Sequence, residues 1–119
     1  MTLTAVVLGT PYPRKLAAFY HDLLGWPVRT DEPDWVTLAA PDGAGLSFQE
    51  EANHVPPAWP ASPGDQQMMM HLDIEVEDLA AACEHALGCG ATLAEFQPQE
   101  NVRVMLDPAG HPFCIWVPD

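Results

Sequence analysis

Basic residues are scarce in this chain. Four Lys and Arg stand against seventeen Asp and Glu, giving a formal charge of −13 and an isoelectric point near 4.3. Nucleic-acid binding draws on Lys and Arg to displace phosphate counterions, so DNA and RNA are excluded as main partners. An anionic membrane surface is disfavoured for the same reason. Long apolar runs are also missing, since no stretch approaches the roughly 18–20 residues that cross a bilayer. The opening segment MTLTAVVLGTPYPRK has no basic region ahead of its short apolar stretch, so a secretory signal is not expected. Cysteine is sparse and odd in number: Cys83, Cys89 and Cys114, with no CxxC spacing. That argues against a disulfide framework and for a reducing cytoplasm. There is no glycine-rich phosphate loop and no Gly-x-Ser-x-Gly nucleophile elbow.

What is present suffices for a core. Over 119 residues, 48% are hydrophobic and 18% charged, which fits one domain, or two small half-modules sharing a core. Residues 4–8 are apolar and β-branched and read as a buried strand stopped by Gly9 and Pro11. Pro13 suits a first helical turn. Leu16, Phe19, Tyr20, Leu23 and Leu24 follow at helical spacing, with Gly25 as the stop. Residues 35–40 and 46–50 read as strands joined by the turn PDGAG. Residues 54–65, HVPPAWPASPGD, carry four prolines and no periodicity, so they read as a linker or lid.

The second half restarts at residues 71–76 with a clean polar–apolar alternation, one face on a core and the other on water or a cavity. Asp78 is a natural N-cap for LAAACEHALG, with Leu79, Ala82, Cys83, Ala86 and Leu87 as the buried stripe. Residues 91–96, 102–106 and 113–117 read as strands, the last after the turn DPAGHP. The two halves match each other. Leu16-Ala17-Ala18 with Leu24-Gly25 and Pro41-x-Gly43 return about 65 residues later as Leu79-Ala80-Ala81 with Leu87-Gly88 and Pro108-x-Gly110.

LAAFYHDLLGW after a strand, HLDIEVEDLAAA at the restart and VMLDPAGHPFCIW near the end resemble the vicinal oxygen chelate superfamily. That superfamily holds glyoxalase I, bleomycin-resistance proteins and extradiol dioxygenases, and the chain looks most similar to its glyoxalase-like domain members. The resemblance implies an α+β fold of two tandem βαβββ modules whose curled mixed sheets share a cavity. It places module one at residues 1–53, the Pro-rich linker at 54–67 and module two at 68–119. Metal-using relatives take four ligands from cavity-facing strand positions. Carried over by position, these fall at Ala5, at Ser47 or Gln49, at His71 and at Cys114. Only His71 is a usual ligand, and an alanine cannot bind a metal.

No metal is therefore expected; if one binds, His71, Gln49 and Cys114 would hold it, with Zn, Mn, Ni or Fe as the cofactor. His71 shares a strand face with Asp73 and Glu75, so it can pair with Asp73, touch a ligand or bind a metal. Cys114 is either a small buried filler or a His71-activated thiolate. Trp35, Trp59 and Trp116 either fill core gaps or wall a pocket, Trp59 being delivered by the Pro-rich segment. The named ligand-binding residues are Gln49, His71, Asp73, Cys114 and Trp116.

The function expected from the resemblance is a metal-independent, small-molecule-binding homodimer that sequesters a drug or antibiotic as bleomycin-resistance proteins do. The −13 charge and the tryptophans suit a cationic or aromatic ligand. The alternative is a divalent-metal-dependent glyoxalase-type lyase or isomerase, or a dioxygenase, acting on a vicinal-oxygen substrate. A metal-free enzyme with His71 as general base is a third option.

Overall fold

Each half of the chain begins with a strand that pairs in parallel with the last strand of the same half. The computed structural model describes residues 1–119, which divide into two units, Met1–His54 and Val55–Asp119. The first contains β1 (Ala5–Thr10), α1 (Pro13–Leu24), β2 (Val28–Glu32), β3 (Trp35–Leu38) and β4 (Gly45–Glu50). Its sheet order is β1-β4-β3-β2, with β1 parallel to β4 and the other pairs antiparallel.

Pro13 opens α1, and Gly25 closes it in the left-handed region, where its N–H donates to the His21 carbonyl at 2.8 Å. The periodic face buries Leu16, Ala17, Phe19 and Tyr20. Tyr20 stacks on Phe48 of β4 at 5.7 Å between ring centroids, and Val36, Leu38 and Leu46 complete this core.

Two differences from the sequence reading have simple causes. Strand β1 runs through Gly9 to Thr10, because Gly9 keeps its place in the ladder opposite Gln49. Strand β2, which the βαβββ resemblance requires, was not placed from the residues themselves, since VRTDE is polar and mostly exposed. It is an edge strand held by backbone pairing to β3, and Thr30 N–H donates to Thr37 Oγ1 at 3.0 Å where the register shifts.

The second unit contains β5 (Leu72–Glu75), α2 (Leu79–Cys89), β6 (Thr92–Leu93), β7 (Val102–Leu106) and β8 (Pro112–Trp116). Its order, β5-β8-β7-β6, repeats the topology of the first. Both sheets are mixed, four-stranded and accompanied by one helix, so the fold is α+β with two βαβββ modules. Asp78 caps α2, its Oδ1 accepting from Ala81 N–H at 3.0 Å. The helix passes Gly88 and ends at Gly90. Ala86 is its one buried residue, whereas Leu87 is 48% exposed. With Ala86 centred on the sheet, the next residue points about 100° away. The expected stripe is therefore narrower and excludes Leu87.

Strand β6 covers two residues where six were expected. The Gln97 side chain takes the place of strand pairing: its Nε2 donates to the carbonyls of Ala94 and Val104, both at 2.9 Å. Its Oε1 accepts from Val104 N–H at 3.0 Å. The turn between β7 and β8 is built on Asp107, which is 4% exposed. One carboxylate oxygen accepts from Ala109 N–H at 2.9 Å and from His111 N–H at 3.0 Å. Gly110 sits there at φ +87°, and a Cβ on it would come 2.7 Å from Pro56 Cβ. The Pro-rich segment thus leans on the same turn that sets the β7–β8 register.

Asp107→Ala strands two backbone donors in a buried turn, with an expected cost of about 2–3 kcal/mol in a urea titration. Asp78→Ala removes one exposed cap and should cost about 1 kcal/mol. Equal losses from the two variants would contradict this account of the turn.

Candidate functional site

Strand register gathers the polar residues of the second unit on one face. Asp73 of β5 lies directly opposite Cys114 of β8, and Cys114 lies opposite Val104 of β7. His71 precedes Asp73 by two positions and therefore shares its face. Its Nε2 sits 3.1 Å from Asp73 Oδ1. The His71 side chain is 29% exposed and that of Asp73 62%, so this pair orients the imidazole more than it stabilises the fold. The histidine nitrogens, the Asp73 carboxylate and Cys114 Sγ offer one ligand atom each, all within 4.8 Å of one another.

The Pro-rich segment supplies the wall. Residues 58–67 close on themselves: Ala58 N–H donates to the Gln66 carbonyl at 2.8 Å, and Ser62 N–H donates to Asp65 Oδ2 at 2.9 Å. This closed loop sets Trp59 over His71, ring centroids 4.9 Å apart and planes 29° from parallel. Trp59 also meets Phe96 at 5.4 Å. A hollow of about 410 Å³ results, lined among others by Trp59, His71, Asp73, Phe96, Cys114 and Trp116. A second hollow of about 590 Å³ lies against the same Trp59, Phe96 and Val104, with Pro57, Pro60 and Pro112 around it.

The electrostatics of the first hollow are simple. Asp73 is its only carboxylate, and no Lys or Arg lines it. Cys114 is 4% exposed. Burial, reinforced by the negative charge of Asp73, pushes its thiol up to about 11 from an ordinary 9.0. The thiol is therefore protonated at neutral pH, and the geometry provides no activated nucleophile.

Four of the five residues named from sequence, His71, Asp73, Cys114 and Trp116, line this hollow. Gln49 lies in the other unit, exposed near the end of β4 opposite Gly9 and Trp35. Ser47, which shares its face, is buried. Phe96, Pro98, Gln99, Asn101, Val102 and Val104 also line it and were not named from sequence. Phe96 was read as part of a strand, and Asn101 carried no signal; its Nδ2 donates to the Val117 carbonyl at 3.0 Å. The only hint for Phe96 was an aromatic beside Gln97, whose amide ends the strand and frees the preceding residue to turn under Trp59.

A family model described as Glyoxalase-like domain matches residues 5–116. The chain belongs to the glyoxalase-like domain family. Its fold is that of the vicinal oxygen chelate superfamily. A glyoxalase/bleomycin resistance protein/dioxygenase family enzyme from Burkholderia phytofirmans PsJN superposes with a TM-score of 0.74 at 18% identity, covering 98% of each chain. A glyoxalase-related enzyme from Fulvimarina pelagi gives 0.73 at 19% identity, over 99% of this chain and 88% of that one. A glyoxalase family protein from Enterococcus faecalis gives 0.69 at 17% identity, over 96% and 95%. At such identities the likeness shows the fold alone. No curated protein matches the chain significantly.

Membership raises the question of a divalent metal, and the inherited donor set does not fit one. The Ala5 methyl on β1 is no ligand, Ser47 is a buried hydroxyl, and an amide such as that of Gln49 is a poor partner. In this glyoxalase-like domain the side chains with donor atoms close together are His71, Asp73 and Cys114, all in the second unit.

Iodoacetamide should leave Cys114 unmodified in the folded, metal-free protein at pH 8, with labelling accelerating only as the pH approaches 11. Denaturation should expose it at once. Peptide mass mapping reads both states, and rapid labelling of folded Cys114 at pH 8 would contradict a protonated, buried thiol.

Proposed function

We propose that the chain binds a small aromatic cation in the hollow of its second unit, holding it without chemical change and without needing a metal. The observation that carries this reading is the stack of Trp59 on His71 above a lone carboxylate, with Phe96 and Trp116 completing the walls. An aromatic face attracts a cation by about 0.5–2 kcal/mol, more where water is excluded. Asp73 adds an opposite charge beside His71, and the −13 formal charge raises the local concentration of cations. Sequestration of a drug or antibiotic, the role suggested by the bleomycin-resistance branch, needs only this kind of binding.

The lyase and dioxygenase alternatives have less support. They draw on ligands from both modules, and Ala5 supplies none. A homodimer in the cytoplasm belongs to the same proposal. Val7 on edge strand β1, Met69 and Met70 are exposed apolar side chains that a second copy would cover. Light scattering should then return twice the 13.0 kDa chain mass, and the mass of a single chain would contradict it.

Metal-free protein titrated with benzyltrimethylammonium should gain stability, by about 2.7 kcal/mol at a hundredfold excess over Kd, with a change in Trp fluorescence. Asp73→Asn should weaken the cation about tenfold, or 1.4 kcal/mol, and leave a neutral aromatic of the same shape unaffected. Trp59→Ala should abolish binding of both. Unchanged binding in Trp59→Ala, or no stabilisation by any aromatic cation, would overturn the proposal.

A further inference from the structure

A small aromatic cation accounts for only the smaller of two adjoining hollows, about 410 Å³ against about 590 Å³. We propose that the larger hollow is the subsite for an apolar arm of the same ligand. The ligand class is then an aromatic cation extended by a short apolar chain that carries no negative charge. This inference rests on the proposed binding of the cation and adds the shape of the molecule that is held.

The two hollows lie along one face of β7. Val102, Val104 and Leu106 share that face because strand side chains alternate, and their ladder partners on β8 are Trp116, Cys114 and Pro112. Val102, Trp116 and Cys114 line the smaller hollow, and Leu106 and Pro112 line the larger. Val104, Trp59 and Phe96 belong to both. At about 3.4 Å per residue, the row from Val102 to Leu106 runs about 14 Å, and the step from Val104 to Leu106 covers about 7 Å of it. That step is the reach of a short alkyl chain. A head group beneath Trp59 thus extends along the strand, past Val104, into the second hollow.

The lining of the second hollow selects an apolar arm. Pro57, Pro60 and Pro112 carry no N–H, and the N–H groups of Ala58 and Ala94 already donate to the carbonyls of Gln66 and Val104. The backbone of these five lining residues therefore leaves a polar arm no donor, whereas Leu106, Phe96 and Trp59 offer apolar surface. Glu95 is the only charged residue there. A carboxylate at the end of the arm meets a like charge and no cation to pair with it.

Calorimetric titration of the metal-free protein with a series of benzyldimethylalkylammonium ions reads the arm directly. Affinity should rise about threefold for each methylene from methyl to hexyl, as apolar area is buried. It should level off by decyl, once the chain passes Leu106 and Pro112. The heat-capacity change on binding should become more negative from methyl to hexyl. Ala94→Phe, at a half-buried position, places a ring in the second hollow, and the ratio of hexyl to methyl affinity should fall close to one. The series in the unaltered protein stands whether or not that variant folds. A hexyl arm ending in a carboxylate should lose most of the gain, and Glu95→Gln, at an exposed position, should return part of it.

Affinity independent of arm length, a rise that continues unchanged through decyl, a hexyl-to-methyl ratio preserved in Ala94→Phe, or a carboxylate-ended arm that binds as well as a plain one would each overturn the inference. The two readings fail separately. Binding of benzyltrimethylammonium with no gain from the arm defeats this inference alone. No binding of benzyltrimethylammonium, with hexyl binding that Ala94→Phe removes, defeats the proposed function and leaves the second hollow as an apolar subsite.

Discussion

The position of β8 between β5 and β7 is the constraint on which the site depends. Parallel pairing sets Asp73 against Cys114, and antiparallel pairing sets Cys114 against Val104. Because strand side chains alternate, a shift of one residue in either ladder would exchange the whole polar row for the helix-facing row of Phe113 and Ile115. The register is guarded at the β7–β8 turn by the buried Asp107 carboxylate, which accepts from the backbone N–H groups of Ala109 and His111. Pro56 against Gly110 then fastens the start of the Pro-rich segment to that turn. The wall that carries Trp59 and the floor that carries His71 are thus fixed by one local arrangement.

The chemistry follows from what this floor has and what it lacks. A histidine beside a carboxylate and a cysteine suggests nucleophilic catalysis on paper. Here His71 Nε2 is directed at Asp73, and burial together with the Asp73 charge pushes the thiol up to about 11. A carboxylate beside aromatic faces is the arrangement that attracts an organic cation, the reading proposed for this hollow. An exposed ion pair such as His71–Asp73 contributes little to stability. Its value lies in orienting a ring that Trp59 covers.

Much of this was legible in the sequence because it rests on periodicity. The α1 stripe from Leu16 to Tyr20, the Asp78 cap and the alternation through residues 71–76 each encode their structure over a few neighbouring residues. The alternation was enough to bring His71 and Asp73 together, and the β8 pattern added Cys114 and Trp116. Edge strand β2 was not legible, since a polar strand with both faces wet has no hydrophobic signature. Nor was Gln97, whose side chain replaces a strand's backbone pairing without any local pattern to announce it. Trp59 lies between: the prolines around it erase periodicity, and its stacking on His71 depends on how residues 58–67 close.

A ligand bound as proposed enters the second unit beneath Trp59. Four tryptophans make this testable in one experiment, since Trp26 and Trp35 belong to the first unit and Trp59 and Trp116 to the second. Indole N–H resonances, assigned by single Trp→Phe substitutions, can be followed as an aromatic quaternary ammonium compound is added to the ¹⁵N-labelled, metal-free protein. Saturable shifts of Trp59 and Trp116, with Trp26 and Trp35 unmoved, are the result this account predicts. Shifts confined to Trp26 and Trp35, or none that saturate, would contradict it.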